Sequence, residues 1–197
     1  PTRRSSDLMR IYNCGRHGIC IVQPNLNTTF INQGLFVNVE VRGSGQTTAN
    51  GLEVYVEGQG TVSGQKVSEI TWINCEFDAA GAANHGLSSF YLTETGSESD
   101  FDGWQWLGCT FEDVGGTLVG LTYAIFIAGS TVVRNPQVIG GVLANYSGVL
   151  DPSKVSAGRV SMSSTNINME MLGTDTKLRF GNGATDTIEW ESAGYLK

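Results

Sequence analysis

Apolar and polar residues alternate along this chain in short runs, and the runs return. Val37-Asn38-Val39-Glu40-Val41, Ile73-Asn74-Cys75-Glu76-Phe77 and Leu107-Gly108-Cys109-Thr110-Phe111 align position by position. One set of columns reads Val37, Ile73, Leu107, then Val39, Cys75, Cys109, then Val41, Phe77, Phe111. The alternate set reads Asn38, Asn74, Gly108, then Glu40, Glu76, Thr110. A period of two with one apolar side marks a half-buried strand. The first set is therefore expected to face a core and the second to face solvent. A second run opens each time on a glycine, at Gly18-Ile19, Gly51-Leu52, Gly86-Leu87, Gly120-Leu121 and Gly148-Val149, spaced 33, 35, 34 and 28 residues. Leu52, Val54 and Val56 alternate inward after it, as do Leu121, Tyr123, Ile125 and Ile127. His17, Asn50 and His85 precede three of these glycines. Such residues tolerate left-handed backbone better than most, so these pairs are expected to be corners. A weaker third run stands at Phe30-Ile31, Val62 and Val132-Val133.

A period near 34 residues means stacked units. Three short strands per unit describe an all-β chain, a right-handed parallel β-helix over residues 9–150. No interval reads as a crossover helix, and a Greek-key sandwich predicts no such period. The motif Ile73-Asn74-Cys75-Glu76-Phe77 and the corner His85-Gly86-Leu87 resemble the rungs of the pectin-lyase-like β-helix superfamily, across roughly residues 9–150. That superfamily includes pectate and pectin lyases, polygalacturonases, other polysaccharide hydrolases and phage tailspikes. The resemblance implies a protein that handles polysaccharide.

The two ends differ from the repeat. Residues 1–8, Pro-Thr-Arg-Arg-Ser-Ser-Asp-Leu, match the translation of a short-read sequencing adapter, so the protein proper is expected to begin near Met9. Residues 151–197 read as a Ser/Thr-rich linker followed by a β-rich arm. In that arm Ile167, Met169 and Met171 alternate, and Leu178-Arg179-Phe180 and Ile188-Glu189-Trp190 flank a Gly181-Asn182-Gly183 turn. Such a segment is too small to be stable alone and is expected to dock on the helix or pair with other chains. A β-helix with a thin β-rich tail is similar to phage tailspikes and tail fibres, which implies a homotrimer.

Composition narrows the partners. The chain has 26 glycines and 4 prolines, few charges, and a formal net charge of −7. Nucleic acid binding needs clustered Lys and Arg, so no nucleic acid partner is expected. No run of 18 apolar residues exists, so no membrane insertion is expected. Cys14, Cys20, Cys75 and Cys109 have no metal-ligand spacing; no metal or cofactor is expected. Cys14, Cys75 and Cys109 take one place in the repeat and read as buried apolar fillers. A Cys75–Cys109 disulfide fits the rung spacing, but in-register stacking disfavours its dihedral.

Two columns carry the candidate chemistry. Phe36, Trp72 and Trp106 share a position on the outward set, with Ile11 below and Trp104 two residues away on the same side. Rungs about 4.8 Å apart would make these a continuous apolar stripe. It is open to three readings: a sugar-stacking platform, a subunit interface, or a surface covered by a loop or the C-terminal arm. Beside it stand Glu40 and Glu76, with Asp78, Glu112 and Asp113 near the strand ends and Arg42 in the column of Asp78. Close carboxylates repel, so one should hold its proton to higher pH. In a glycosidase reading Glu76 or Asp78 is the acid and Glu112 or Asp113 the base or nucleophile, a separation of about 5 Å fitting retention and a wider one inversion. A solvated acidic face is the plainer reading. Lyase signatures and the polygalacturonase Asp pair with Gly-His-Gly are absent. The acidic stretch Thr93–Gly103 is either a groove-lining or a solvated loop. The expected function is recognition, with or without cleavage, of a bacterial surface polysaccharide by a tailspike-like or tail-fibre-like protein, in a virion tail or outside the cell. A secreted polysaccharide lyase or hydrolase, and a structural shaft, are the alternatives.

Overall fold

The computed structural model describes residues 8–26, 30–47, 50–62, 65–79, 86, 88–96, 101–113, 123–146, 148–156 and 159–161, with the strands Lys177–Arg179 and Thr187–Glu189. His85, Leu87, Gly120, Leu121, the adapter-like residues 1–7, most of the arm and residues 97–100 of the acidic stretch lie outside them. Among the described residues there is no α-helix, and hence none long and apolar enough to cross a membrane. The chain is all-β and its strands stack in parallel sheets, a parallel β-helix-like fold.

Three five-stranded parallel sheets form the body. Sheet A holds Met9–Tyr12, Val39–Arg42, Glu76–Asp78, Thr110–Glu112 and Val142–Leu143. Sheet B holds Ile19–Gln23, Val54–Gly58, Phe90–Glu94, Tyr123–Ile127 and Gly148–Leu150. Sheet C holds Leu35–Val37, Thr71–Ile73, Gln105–Leu107, Gln137–Ile139 and Arg159–Ser161. Shorter parallel pairings, Ile31–Asn32 with Val67–Ser68 and Phe101–Asp102 with Val133–Arg134, lie between sheets B and C in the chain. Partners in neighbouring rungs are 36 residues apart at Glu40/Glu76, 34 at Glu76/Thr110, 32 at Thr110/Val142 and 22 at Val138/Val160. The strands Lys177–Arg179 and Thr187–Glu189 pair antiparallel.

The alignment of the three repeated runs is the register of the structure: Val37 pairs with Ile73 and Ile73 with Leu107, and Val41 pairs with Phe77 and Phe77 with Phe111. The expected facing is corrected for half of each run. Asn38, Asn74, Gly108 and Gly140 all have positive φ, between 50° and 66°. Each run is therefore two strands meeting at a left-handed corner, not one. A single αL residue turns the chain and resets which parity points inward. After the corner Val39, Cys75 and Cys109, then Val41, Phe77 and Phe111, face the core as expected. Before it, Val37, Ile73 and Leu107 point outward, while Phe36, Trp72 and Trp106 point inward. A second αL column, Gln33, Glu69, Gly103 and Asn135, stands on the other side of sheet C.

The glycines are corrected as well. Ile19 pairs with Val54, and Val54 with Phe90, so the strand begins one residue after Gly18, three after Gly51 and four after Gly86. They stand near one corner but not in one column. Cys14 lies beyond the strand Met9–Tyr12, outside the Cys75–Cys109 column, and all four cysteines are free. Ile11 pairs with Val41 in sheet A and does not underlie Phe36.

The core is a stack of large side chains. Phe36 lies on Trp72 with ring centroids 3.9 Å apart, and Phe77 on Phe111 at 5.4 Å. Phe90 meets Trp72, Phe77 and Trp106 edge to face, the geometry favoured by aromatic quadrupoles. Trp104 donates its Nε1 hydrogen to the Val67 carbonyl at 2.7 Å, whereas the buried Nε1 atoms of Trp72 and Trp106 have no acceptor.

Two stability predictions follow from corner and core. An αL position strains a residue with a Cβ and spares glycine. Urea titration should show Asn74→Ala destabilised by about 1 kcal/mol, and Asn74→Gly close to the parent. Trp104→Phe abandons a buried carbonyl, while Trp106→Phe removes an orphaned N–H. The first should therefore be the less stable by about 1 kcal/mol in the same titration.

Candidate functional site

The residues proposed as a sugar platform are in the core. Trp72, Trp104 and Trp106 are wholly buried and Phe36 is half-buried against Trp72. The outward stripe expected of them is therefore corrected: the αL corner turns their column inward, and no ligand in solvent reaches the three tryptophans.

An outward aromatic column stands on sheet B instead. Within Val54-Tyr55-Val56, Phe90-Tyr91-Leu92 and Ile125-Phe126-Ile127 the flanking residues are buried and the central ring points out. The register places Tyr55, Tyr91 and Phe126 level in successive rungs. Their ring centroids are 6.0 and 5.4 Å apart, and His17 extends the stack onto Tyr55 at 4.8 Å. His17 is therefore a member of this column as well as a neighbour of a corner. The column forms one wall of a groove of about 490 Å³; Arg16, Asn50, Leu52 and Ser88 line it too. The corner beneath is tightly built. Asn50 has φ 58°, and a side chain on Gly51 would collide with the backbones of Gly45 and Arg16. Close backbone packing thus holds Arg16 and Asn50 at the groove.

The groove keeps its charges few. Burial, helped by Arg16, lowers the His17 pKa to about 4, so the imidazole is neutral at pH 7. Burial first, and then Glu57, pushes the Tyr55 phenol up to about 12. Tyr55 donates to Glu57 at 3.1 Å, and Gln59 and Thr95 donate to the same carboxylate at 3.1 and 2.7 Å. Burial opposes ionisation of Glu57, but these three hydrogen bonds outweigh it and hold its pKa below the ordinary value. Glu57 is thereby a fixed anion that orients Tyr55. The signal for this site was in the sequence, as an aromatic between two core residues recurring at positions 55, 91 and 126.

Three of the four candidate catalytic carboxylates do come together, on sheet A. Oxygens of Glu76, Asp78 and Glu112 lie within 4.8 Å of one another. Asp78 is buried and bonds Arg42 Nε at 3.0 Å; Glu40 bonds Arg10 Nε at 3.2 Å and accepts from the Tyr12 hydroxyl. Burial raises the Glu76 pKa, as do the charges of Glu40 and Asp78, with Arg42 opposing. Burial likewise raises Glu112, followed by Asp78 and Glu76. Asp113 stands outside this group, buried, its carbonyl accepting from Asn145 at 2.9 Å. None of the four lines the sheet B groove. Glu76 and Glu112 are thus the members of this group that hold a proton to higher pH.

Compared with protein-family models, curated proteins and solved structures, the chain matches none.

The raised carboxyls set a sign for pH dependence. A folded-state pKa above the unfolded value favours the protonated form, so this contribution is full below about pH 4.5 and is lost as pH rises through the folded values. Glu76→Gln, neutral at every pH, should therefore raise the melting temperature at pH 7 and give little gain near pH 4. Thermal melts at the two pH values check it.

Proposed function

We propose that this chain recognises a polysaccharide along the sheet B groove, in the manner of a tailspike or tail fibre reading a bacterial surface glycan. The observation that carries the reading is the outward column His17, Tyr55, Tyr91 and Phe126 beside the polar side chains of Arg16, Asn50 and Ser88. A sugar has apolar C–H faces and a rim of hydroxyls. A groove lined both by rings and by polar groups suits both parts. Its extent over successive rungs suits a polymer better than an isolated small molecule. Neutral His17 and the protonated Tyr55 phenol supply uncharged hydrogen-bonding groups at neutral pH.

In this reading the body is a right-handed parallel β-helix with rungs near 34 residues and a C-terminal arm, acting in a virion tail or outside the cell as a homotrimer. Recognition rather than cleavage is its role, because the grouped carboxylates belong to sheet A and the groove to sheet B.

The test is binding of the full chain to a panel of bacterial capsular and lipopolysaccharide glycans, by calorimetry. Binding should be measurable for at least one of them. Tyr91→Ala should weaken it about tenfold, the effect of losing one buried aromatic contact, while Glu76→Gln leaves it unchanged. No binding across the panel, or equal binding by Tyr91→Ala, would sink the reading.

A further inference from the structure

The sheet B groove has a direction. Arg16 stands between the strands Met9–Tyr12 and Ile19–Gln23, and so in the first rung, while Tyr55, Tyr91 and Phe126 belong to the second, third and fourth. His17 lies on Tyr55 at the Arg16 end. Along the wall the side chains therefore run from a guanidinium through an imidazole and two phenols to a phenyl ring. Arg16 is exposed. The ion pairs among the described residues use Arg10 and Arg42, not Arg16. No Asp or Glu is among the described residues that line the groove. Glu57, which accepts from the Tyr55 hydroxyl, is level with Val22 towards the strand's exit, whereas Arg16 precedes the strand's entry.

We propose that Arg16 makes this groove selective for acidic glycans and seats their anionic group, a carboxylate or a phosphate, at the first-rung end. The inference rests on the glycan reading above and narrows it to one class of glycan. A guanidinium carries five N–H donors in a rigid fork and no acceptor, and the fork fits two oxygens of a carboxylate or phosphate. Asn50, Ser88 and the neutral His17 already supply hydrogen bonds to hydroxyls, so a neutral glycan leaves the charge of Arg16 unused. Charge elsewhere sharpens the choice. A chain of net charge −7 repels an acidic polymer over most of its surface. A cation with no carboxylate beside it in the groove lining is then what admits such a polymer there. The backbone holds that cation at its place, since a side chain on Gly51 would meet the Arg16 carbonyl oxygen at 2.6 Å. The gradient along the wall also orients the glycan, with its charged group on Arg16 and its apolar sugar faces on Tyr91 and Phe126.

Calorimetry of the full chain with the same panel, sorted into acidic and neutral glycans, tests it. The glycans that bind should be acidic. Reducing their carboxyls to alcohols, or removing their phosphates, should weaken binding about fivefold, and the treatment that acts identifies the anion. Arg16→Gln should cost the untreated glycan about the same factor and the treated glycan nothing. Arg16→Lys, which keeps the charge and loses the fork, should fall between. Arg16 is exposed, so both variants should match the parent's melting temperature. Tyr91→Ala should weaken treated and untreated glycan alike. Neutral glycans that bind as tightly as acidic ones overturn the proposal, as does an Arg16→Gln variant that binds acidic glycans unchanged. Equal losses by Arg16→Gln on treated and untreated glycan also overturn it, because Arg16 then acts only through structure. In each of these cases the glycan reading survives if Tyr91→Ala still weakens binding. Binding that needs Arg16 and ignores Tyr91 places the anion outside the groove and overturns both, as does no binding across the panel.

Discussion

The side-chain arrangement of this protein depends on one backbone constraint, the left-handed residue between sheets C and A. Asn38, Asn74, Gly108 and Gly140 occupy it in successive rungs. Cross-rung hydrogen bonds continue through the corner, from Asn38 N–H to the Ile73 carbonyl at 3.0 Å and from Asn74 N–H to the Leu107 carbonyl at 2.9 Å. The chain thus turns without leaving a backbone donor unsatisfied. The turn also inverts inward and outward. With the residue in αL, Trp72 and Cys75, three apart, both enter the core; in an unbroken strand they would face opposite ways. At the last of these rungs the constraint tightens further. Gly141 follows Gly140 with φ 92°, and a side chain there would overlap the Cys109 carbonyl.

Much of the architecture was legible because in-register stacking writes itself into sequence as repetition. The aligned runs at 37–41, 73–77 and 107–111 carried the true register, and the inward facing of Val39, Cys75 and Cys109 followed from alternation. What alternation could not convey was a one-residue corner in the middle of each run. Asn38, Asn74 and Gly108 carried the sign of it, since Asn and Gly are the residues that tolerate αL. Reading them as solvent-facing strand positions sent Phe36, Trp72 and Trp106 to the wrong side. The glycine period misled more mildly: Gly18, Gly51 and Gly86 begin the approach to sheet B at different distances, and strand pairing absorbs the difference in the corner.

The site was legible only in part for a related reason. Tyr55, Tyr91 and Phe126 sit between inward residues that dominate their runs, so the eye follows the core and passes over the column outside it. Glu76, Asp78 and Glu112 were visible as neighbours because they lie in the aligned runs. Their burial was not visible: Asp78 ends its strand on an outer face and is still inaccessible to solvent.

Stacking imposes a rule on every outer column, since each side chain must tolerate a neighbour in the same place about 4.8 Å away. Aromatic rings gain from it, and sheet B carries a column of them. Aliphatic side chains gain by shielding one another, and sheet C carries that column. Like charges lose, and sheet A shows how the loss is contained. Arg10 sits below Glu40, and Arg42 sits below Asp78, so opposite charges alternate in both columns. The alternation runs out one rung later. Glu76 lies above Glu40, and Glu112 above Asp78, with no new cation in either column. Glu76 and Glu112 instead hold raised pKa values, through burial first and then through the like charges beside them. Glu76 and Glu112 stand where charge compensation along the ladder ends.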